Sequence, residues 1–388
     1  MSMVVVGAGL AGGTAVAELR EQGYDGRVIL YGTEPHLPYE RPPLSKGVLL
    51  GNDTVESVFL HDRRWYDEHD VELRLGAAVT GIDVAAHRVH AAGGAEGYDR
   101  LLLATGASPR RFPLAESAGV PVAYLRTIED SERLKAALAR GGRVAIVGAG
   151  WIGLEVAAAA RSLGCAVTVH GRSELPLVGV LGREVAQLFA DLHRAHGVEL
   201  RLGADVRAED LRDADLVVVG IGAEPRIGLA EQAGLAVDDG VLVDATLRTS
   251  DEDVFAVGDI ASHQHPRLGR RVRVEHWDTA REQAKVAARN MLGGSEAYSR
   301  MPYFFTDQYD LGMEYVGSVG PEGYDRVDIE GDTDVAAGGA FRAYWVAAGT
   351  VVAAMHANDW DASDEIRESV GRPASVGAAI EAGLDGRQ

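Results

Sequence analysis

Cysteine is almost absent: Cys165 is the only one in 388 residues. A lone thiol excludes an intramolecular disulfide, a cysteine zinc cluster and a two-cysteine redox relay. Set between a helical stretch and a strand, Cys165 reads as a small packing residue, and no metal site is expected. Positive charge is also scarce, 38 Lys and Arg against 58 Asp and Glu, leaving a formal net charge of -20. That field repels nucleic-acid phosphates, so DNA and RNA are not expected partners. No apolar run approaches the roughly 20 residues that cross a bilayer. The first residues carry neither a basic region nor a cleavable apolar stretch, and a soluble, cytoplasmic protein is expected. Prolines number only 13 against 48 glycines, the balance of many tight strand-to-helix turns rather than of disordered linkers.

What is present alternates. At 388 residues and 46% hydrophobic composition, two or three domains are expected. Val4 to Val6 reads as a strand, Gly12 to Gln22 as a helix and Val28 to Tyr31 as a strand, which is a βαβ unit. The order returns at Arg143 to Val147, Gly153 to Leu163 and Ala166 to His170, so two nucleotide-binding units are expected, one per cofactor. A further strand, Val254 to Val257, leads into Gly258-Asp259 and a helix near Thr279 to Leu292. After Gly293-Gly294-Ser295, the runs Tyr303 to Phe305 and Phe341 to Met355 suggest strands of a smaller, antiparallel-rich α+β domain. The fold class is therefore α/β, with two Rossmann-type domains and a small C-terminal one. The expected division is a discontinuous first domain, 1–105 with 225–296, a second domain inserted at 106–224, and a third at 297–388.

Gly7-Ala8-Gly9-Leu10-Ala11-Gly12 matches G-x-G-x-x-G between a strand and a helix, the context that the dinucleotide fingerprint requires. Gly7 makes the tight turn, Gly9 lets backbone approach a pyrophosphate, and Gly12 lets the helix pack closely. Glu34, twenty-two residues after Gly12, is placed to accept hydrogen bonds from ribose hydroxyls. Gly148-Ala149-Gly150-Trp151-Ile152-Gly153 repeats the pattern. The acid expected after its second strand is missing, because the chain there reads Val169-His170-Gly171-Arg172-Ser173. A glycine beside Arg172, with His170 as a second donor, suits a 2′-phosphate and favours NADPH over NADH. The alternative is an exposed turn carrying one solvated arginine.

With both loops in place, further stretches make the chain resemble the FAD-dependent ferredoxin reductase family. They are Tyr39-Glu40-Arg41-Pro42-Pro43-Leu44-Ser45-Lys46, Ala104-Thr105-Gly106, Glu155 after the second loop, Val257-Gly258-Asp259, Glu275-His276-Trp277 and Phe304-Phe305-Thr306-Asp307-Gln308. Apoptosis-inducing factor is similar over part of this series. The resemblance implies that Arg41 contacts the nucleotide portion of FAD and that Lys46 lies near the flavin N5. It implies too that Gly258 and Asp259 close the FAD site, that Trp277 flanks the ring, and that Glu275 and His276 lie on the flavin side. A lysine there stabilises charge developing as hydride arrives, and Glu155 can hold both that lysine and the nicotinamide amide, which makes Lys46 and Glu155 the expected catalytic pair. Asp259 also suits a helix N-cap. Arg110 is a further FAD candidate or a surface charge, and Gly222 is counted among the cofactor-contacting residues.

Related disulfide reductases carry a cysteine pair beside the flavin, in the segment corresponding to Leu37 to Lys46, and none is present here. A flavin accepts a hydride and releases single electrons, so the expected recipient is a small iron-sulfur ferredoxin, or a rubredoxin, serving a cytochrome P450 or a ring dioxygenase. Its docking is expected at a basic patch, either Arg267, Arg270, Arg271 and Arg273 or Arg63-Arg64; a solvated loop is the alternative for each. Two other readings stay open: an NAD(P)H oxidase or quinone reductase, and a redox-sensing protein like apoptosis-inducing factor. Either a monomer or a homodimer fits.

Overall fold

The computed structural model describes residues 2–321 and 323–374. The expected third domain therefore has its last segment, 375–388, outside the described residues. Strand β1 (Ser2–Val6) runs into helix α1 (Leu10–Glu21) and strand β2 (Arg27–Tyr31), followed by β3 (Val71–Arg74) and β4 (Arg100–Leu103). Val4 and Val5 are wholly buried because a parallel sheet is covered on both faces, which explains an apolar run where alternation would otherwise appear.

The second unit contains β5 (Val122–Ala123), β6 (Arg143–Val147), helix α2 (Trp151–Ser162), β7 (Ala166–Gly171), helix α3 (Val178–Ala195), β8 (Glu199–Leu202) and β9 (Leu216–Val219). Its strands form one parallel sheet in the order β8-β7-β6-β9-β5. Strand β10 (Val254–Ala256) then rejoins the first sheet, whose parallel order is β10-β4-β1-β2-β3. Where the chain passes between the two sheets, Ala107–Pro109 pairs antiparallel with Ala223–Pro225.

Helix α4 (Trp277–Met291) packs against α1. The chain finishes with β11 (Tyr303–Gln308), β12 (Leu311–Gly317), β13 (Arg326–Gly331), β14 (Phe341–Ala347) and β15 (Thr350–Ala357). These form an antiparallel sheet in the order β11-β12-β15-β14-β13. Trp345, Phe341 and Met355 bury one face of it against Leu154, Leu181, Val185 and Phe189 of α2 and α3. Helix α3 is broken at Gly182 (φ 74°), and the Trp345 indole donates to the Leu181 carbonyl beside the break at 3.0 Å. A backbone acceptor left open by the kink is thus satisfied from the third sheet.

The helices α1, α2 and α4 each begin two residues before the expected positions. Gly9 and Gly150 are the N-caps of α1 and α2, so the second half of each fingerprint is already helical. His276 caps α4 by accepting from the Asp278 amide.

Candidate functional site

One cavity of about 920 Å³ runs between the first sheet, the second unit and β11. The first fingerprint forms one end. Gly7 adopts φ +119°, and a Cβ on it would lie 2.1 Å from the Ala104 carbonyl oxygen; on Gly12 it would lie 1.9 Å from the Gly7 oxygen. Gly9 faces open space, with nothing within 4 Å of a Cβ, which is the cradle a phosphate needs over the α1 amides. The second loop repeats each feature: φ +114° at Gly148, open space at Gly150, and a Gly153 Cβ position 2.0 Å from the Gly148 oxygen.

Glu34 lines the cavity and is tied down from two sides, by Arg41 Nη2 at 2.8 Å and by the Tyr39 hydroxyl at 2.5 Å. Burial alone would raise its carboxyl, but the Arg41 charge and these hydrogen bonds outweigh it and hold Glu34 below the usual carboxylate range. Asp259 pairs with Arg126 at 2.7 Å, and the Gly258 amide donates to Gln283 Oε1 at 2.8 Å. Thr105 donates to the Arg226 carbonyl at 2.8 Å, and the Arg226 amide to that of Gly106 at 2.9 Å. Arg41, Arg126 and Arg226 all face the cavity, as do Ala104, Thr105, Gly106, Gly222 and Glu275. Arg41 and Arg126 have acid partners, whereas Arg226 has none among the described residues. It is a cation available to a phosphate.

Lys46 and Glu155 meet at the other end, Nζ to Oε1 at 2.7 Å, with Glu155 almost fully buried. Thr306 donates to the same oxygen at 2.7 Å, and Ser45 donates to Oε2. Lys46 also lies 5.3 Å from the Phe305 ring centroid. Trp277 borders this end and donates to Glu40 Oε1 at 3.1 Å. Its neighbour His276 is enclosed by Tyr303, Phe304 and Phe305; burial, then the Lys46 charge, depresses its imidazole to about 3, so it is neutral at pH 7. Trp151 and Ile152 line the cavity too, and Ile152 is among the exposed large apolar side chains.

Several sequence expectations are revised. Arg110 is exposed and does not line the cavity; Arg126 and Arg226 occupy it, and no sequence motif marked either one. The cluster before Glu275 is mostly consumed internally. Arg270 donates to Ser318 Oγ at 2.7 Å, and Arg271 donates to the Val243 and Ser262 carbonyls. Arg273 pairs with Glu275 at 2.5 Å and Asp239 at 3.0 Å, which leaves Arg267 as the exposed member without a side-chain bond among the described residues. Arg63 and Arg64 lie on the helix Arg63–Glu68, away from the cavity wall, and Arg64 pairs with Glu68. Arg172 is exposed and has no side-chain partner among the described residues. His170 is buried, and burial followed by Arg201 lowers its imidazole, so it offers a neutral N–H rather than a charge. Ser45 and Thr306 lie within the Tyr39–Lys46 and Phe304–Gln308 motifs, which give no sign of their role. Their contact with Glu155 spans 110 and 151 positions and is not readable from spacing.

Two glycine cradles, a cavity-lining carboxylate and a lysine paired with a buried glutamate, all on one cavity, define a two-dinucleotide oxidoreductase fold. Residues 1–284 match the family model described as pyridine nucleotide-disulphide oxidoreductase, and the chain belongs to that family. Membership and the relatives imply FAD and a nicotinamide nucleotide as cofactors.

Within it, the chain is 42% identical over 332 residues to the ferredoxin–NAD(+) reductase component of the anthranilate 1,2-dioxygenase system of Burkholderia cepacia, 82% of either chain. It is 38% identical over 350 residues to rhodocoxin reductase of Rhodococcus erythropolis, 86% of this chain and 82% of that one. Putidaredoxin reductase, solved in a covalent complex with putidaredoxin, matches with a TM-score of 0.89 at 34% identity over 96% of this chain and 94% of that one. Among the described residues no helix is long and apolar enough to cross a membrane.

Proposed function

We propose that this chain is an FAD-dependent NAD(P)H:ferredoxin oxidoreductase that supplies single electrons to an iron-sulfur protein serving an oxygenase. The observation that carries the reading is the pair of half-buried Lys46 and buried Glu155 on the same cavity as the Gly7–Gly12 cradle, with no cysteine among the lining residues. Bound FAD supplies the conversion of a two-electron hydride into single electrons. The Gly9 cradle, Arg226 and the Asp259–Arg126 pair serve its pyrophosphate side, and Glu34 serves its ribose. Lys46 offers a fixed positive charge where negative charge develops, and its Glu155 partner prevents the ammonium from swinging away. Of about four acceptor sites on the Glu155 carboxylate, Ser45, Lys46 and Thr306 use three. The remaining one can receive the nicotinamide carboxamide N–H. Exposed Ile152 lines the cavity and gives an apolar seat for a nicotinamide ring.

The sheet memberships support a first domain of 1–105 with 225–296, a second of 106–224 and a third beginning at 297. NADPH is the favoured donor on this reading, through Arg172. An oxidase or quinone reductase is the competing activity. Anaerobic turnover separates them: cytochrome c reduction is expected to rise steeply with added [2Fe–2S] ferredoxin, and to be slowed about 100-fold or more in Lys46→Ala, a typical loss for one electrostatic contact to a reacting centre. Equal turnover with quinone, or with oxygen in a parallel aerobic assay, and no response to ferredoxin would overturn the reading.

A further inference from the structure

Behind Glu155 lies a chain of buried polar groups that leads away from the cavity. Thr306 and Gln308, two apart on β11, project from the same face of the strand. Gln308 Nε2 is 3.2 Å from Thr306 Oγ1, and Gln308 Oε1 is 2.8 Å from His193 Nε2 on α3. His193 Nδ1 is 3.3 Å from the Tyr309 hydroxyl, and the Tyr309 ring stacks on His196 with centroids 3.6 Å apart. Thr306, Gln308 and His193 are each fully buried.

The donor directions follow from what each atom can do. Ionised Glu155 only accepts, so Thr306 donates to it and must itself accept from the Gln308 amide. The Gln308 carbonyl then accepts from His193 Nε2–H, which leaves Nδ1 to accept from Tyr309. Every hydrogen bond therefore points toward the carboxylate. Burial keeps this imidazole neutral, depressed to about 4, and raises the Tyr309 hydroxyl, so both groups hold these protonation states at pH 7. Tyr309 is held at φ 56°, in the turn joining β11 to β12, a left-handed conformation that disfavours a residue bearing a Cβ. The last donor of the chain thus sits in a position the turn alone would give to glycine or asparagine.

We propose that His193, Gln308 and Thr306 are positioning residues that fix the orientation of Glu155, and thereby aim its one free acceptor site at the nicotinamide carboxamide. The proposal rests on the assignment of Glu155 to the nicotinamide. Aligned donors polarise one another, so loss of any link weakens the bond at the carboxylate end. None of the three lines the cavity.

The test uses FAD-loaded enzyme mixed rapidly with reduced nicotinamide nucleotide under anaerobic conditions. It reads the limiting rate of flavin bleaching, the nucleotide Kd and the long-wavelength charge-transfer band of oxidised nicotinamide against reduced flavin. His193→Leu and Gln308→Met are expected to lower the limiting rate about tenfold and to weaken the band, with FAD content unchanged. His193→Gln, whose amide N–H can replace Nε2–H, is expected to restore both. Thr306→Val reports on the same link if the larger changes impair folding. An unaltered band and rate in Gln308→Met or Thr306→Val, or equal impairment in His193→Gln and His193→Leu, would overturn the proposal. Glu155→Ala is the separating arm. A lost band there beside intact chain variants removes the chain and leaves the Glu155 assignment standing, whereas an intact band removes both.

Discussion

At Gly171 no carboxylate stands to repel a 2′-phosphate. A Cβ there would stand 2.9 Å from Leu202 Cδ2, the far end of a side chain that can shift, and 3.2 Å from the Ala149 Cβ. Arg172 next to it is exposed and has no side-chain partner among the described residues, which leaves it able to turn toward a phosphate. A hydrogen bond to a charged group is worth about 1.5–3 kcal/mol. Arg172→Ala should therefore lower kcat/KM for NADPH roughly tenfold or more while leaving the NADH value nearly unchanged. Steady-state kinetics with both nucleotides decides it, and an NADPH value that does not respond removes Arg172 from the site. Single residues were readable where a motif carried them, as with Glu34, Arg41 and Lys46. Arg126 and Arg226 were not, because what defines them is proximity to Asp259 and to the Gly106 carbonyl across more than a hundred positions.

The repeated glycine loops make the helices themselves testable. Valine at position 12 would drive its Cβ into the Gly7 carbonyl, and valine at 153 would do the same to Gly148. Overpacking of this kind costs typically 1–3 kcal/mol. Gly12→Val is expected to yield protein depleted of FAD by absorbance. Gly153→Val should keep its flavin, still be reduced by dithionite, and bind nicotinamide nucleotide about 5- to 150-fold more weakly. Loss of flavin from the second variant would contradict the assignment of one loop to each nucleotide. Both βαβ units were legible because strand, glycine turn and helix follow one another within thirty residues. The third sheet was less so: the apolar run from Phe341 to Met355 hides a two-residue turn at Ala348-Gly349, φ 48° and 75°, with Gly349 its only local signal. Continuous burial from Ala353 to Ala357 removes the alternation in the second hairpin strand, whereas the first keeps alternating burial from Phe341 to Trp345.

For the molecule as a whole, buried neutral histidines set the response to acid. His193 and His263 are each depressed to about 4 by burial, so the unfolded chain binds more protons than the folded one between pH 6.5 and 4. Stability is then fully present above pH 6.5 and falls as pH drops through that window. At about 1.4 kcal/mol per unit, each contributes a few kcal/mol. Thermal melts should show Tm dropping several degrees between pH 7 and 5, and less so in His263→Gln; a flat profile would mean these imidazoles are protonated in the folded state. The partner surface stayed illegible in the sequence, since a run of arginines gives no warning that Arg271 and Arg273 are spent on internal carbonyls and acids.

Strand β10 occupies the edge of the first sheet beside β4, and Gly258-Asp259 follow it immediately. During synthesis, β4 emerges with that edge open, and some 150 further residues must follow before Val254 can cover it. At 5–20 residues per second, the edge stays open for roughly 8 to 30 s. The inserted sheet has all five of its strands in hand by Val219 and can fold during that interval. On the ribosome, the second sheet can therefore be complete before Gly258 and Asp259 are made to close the cavity wall beside the first.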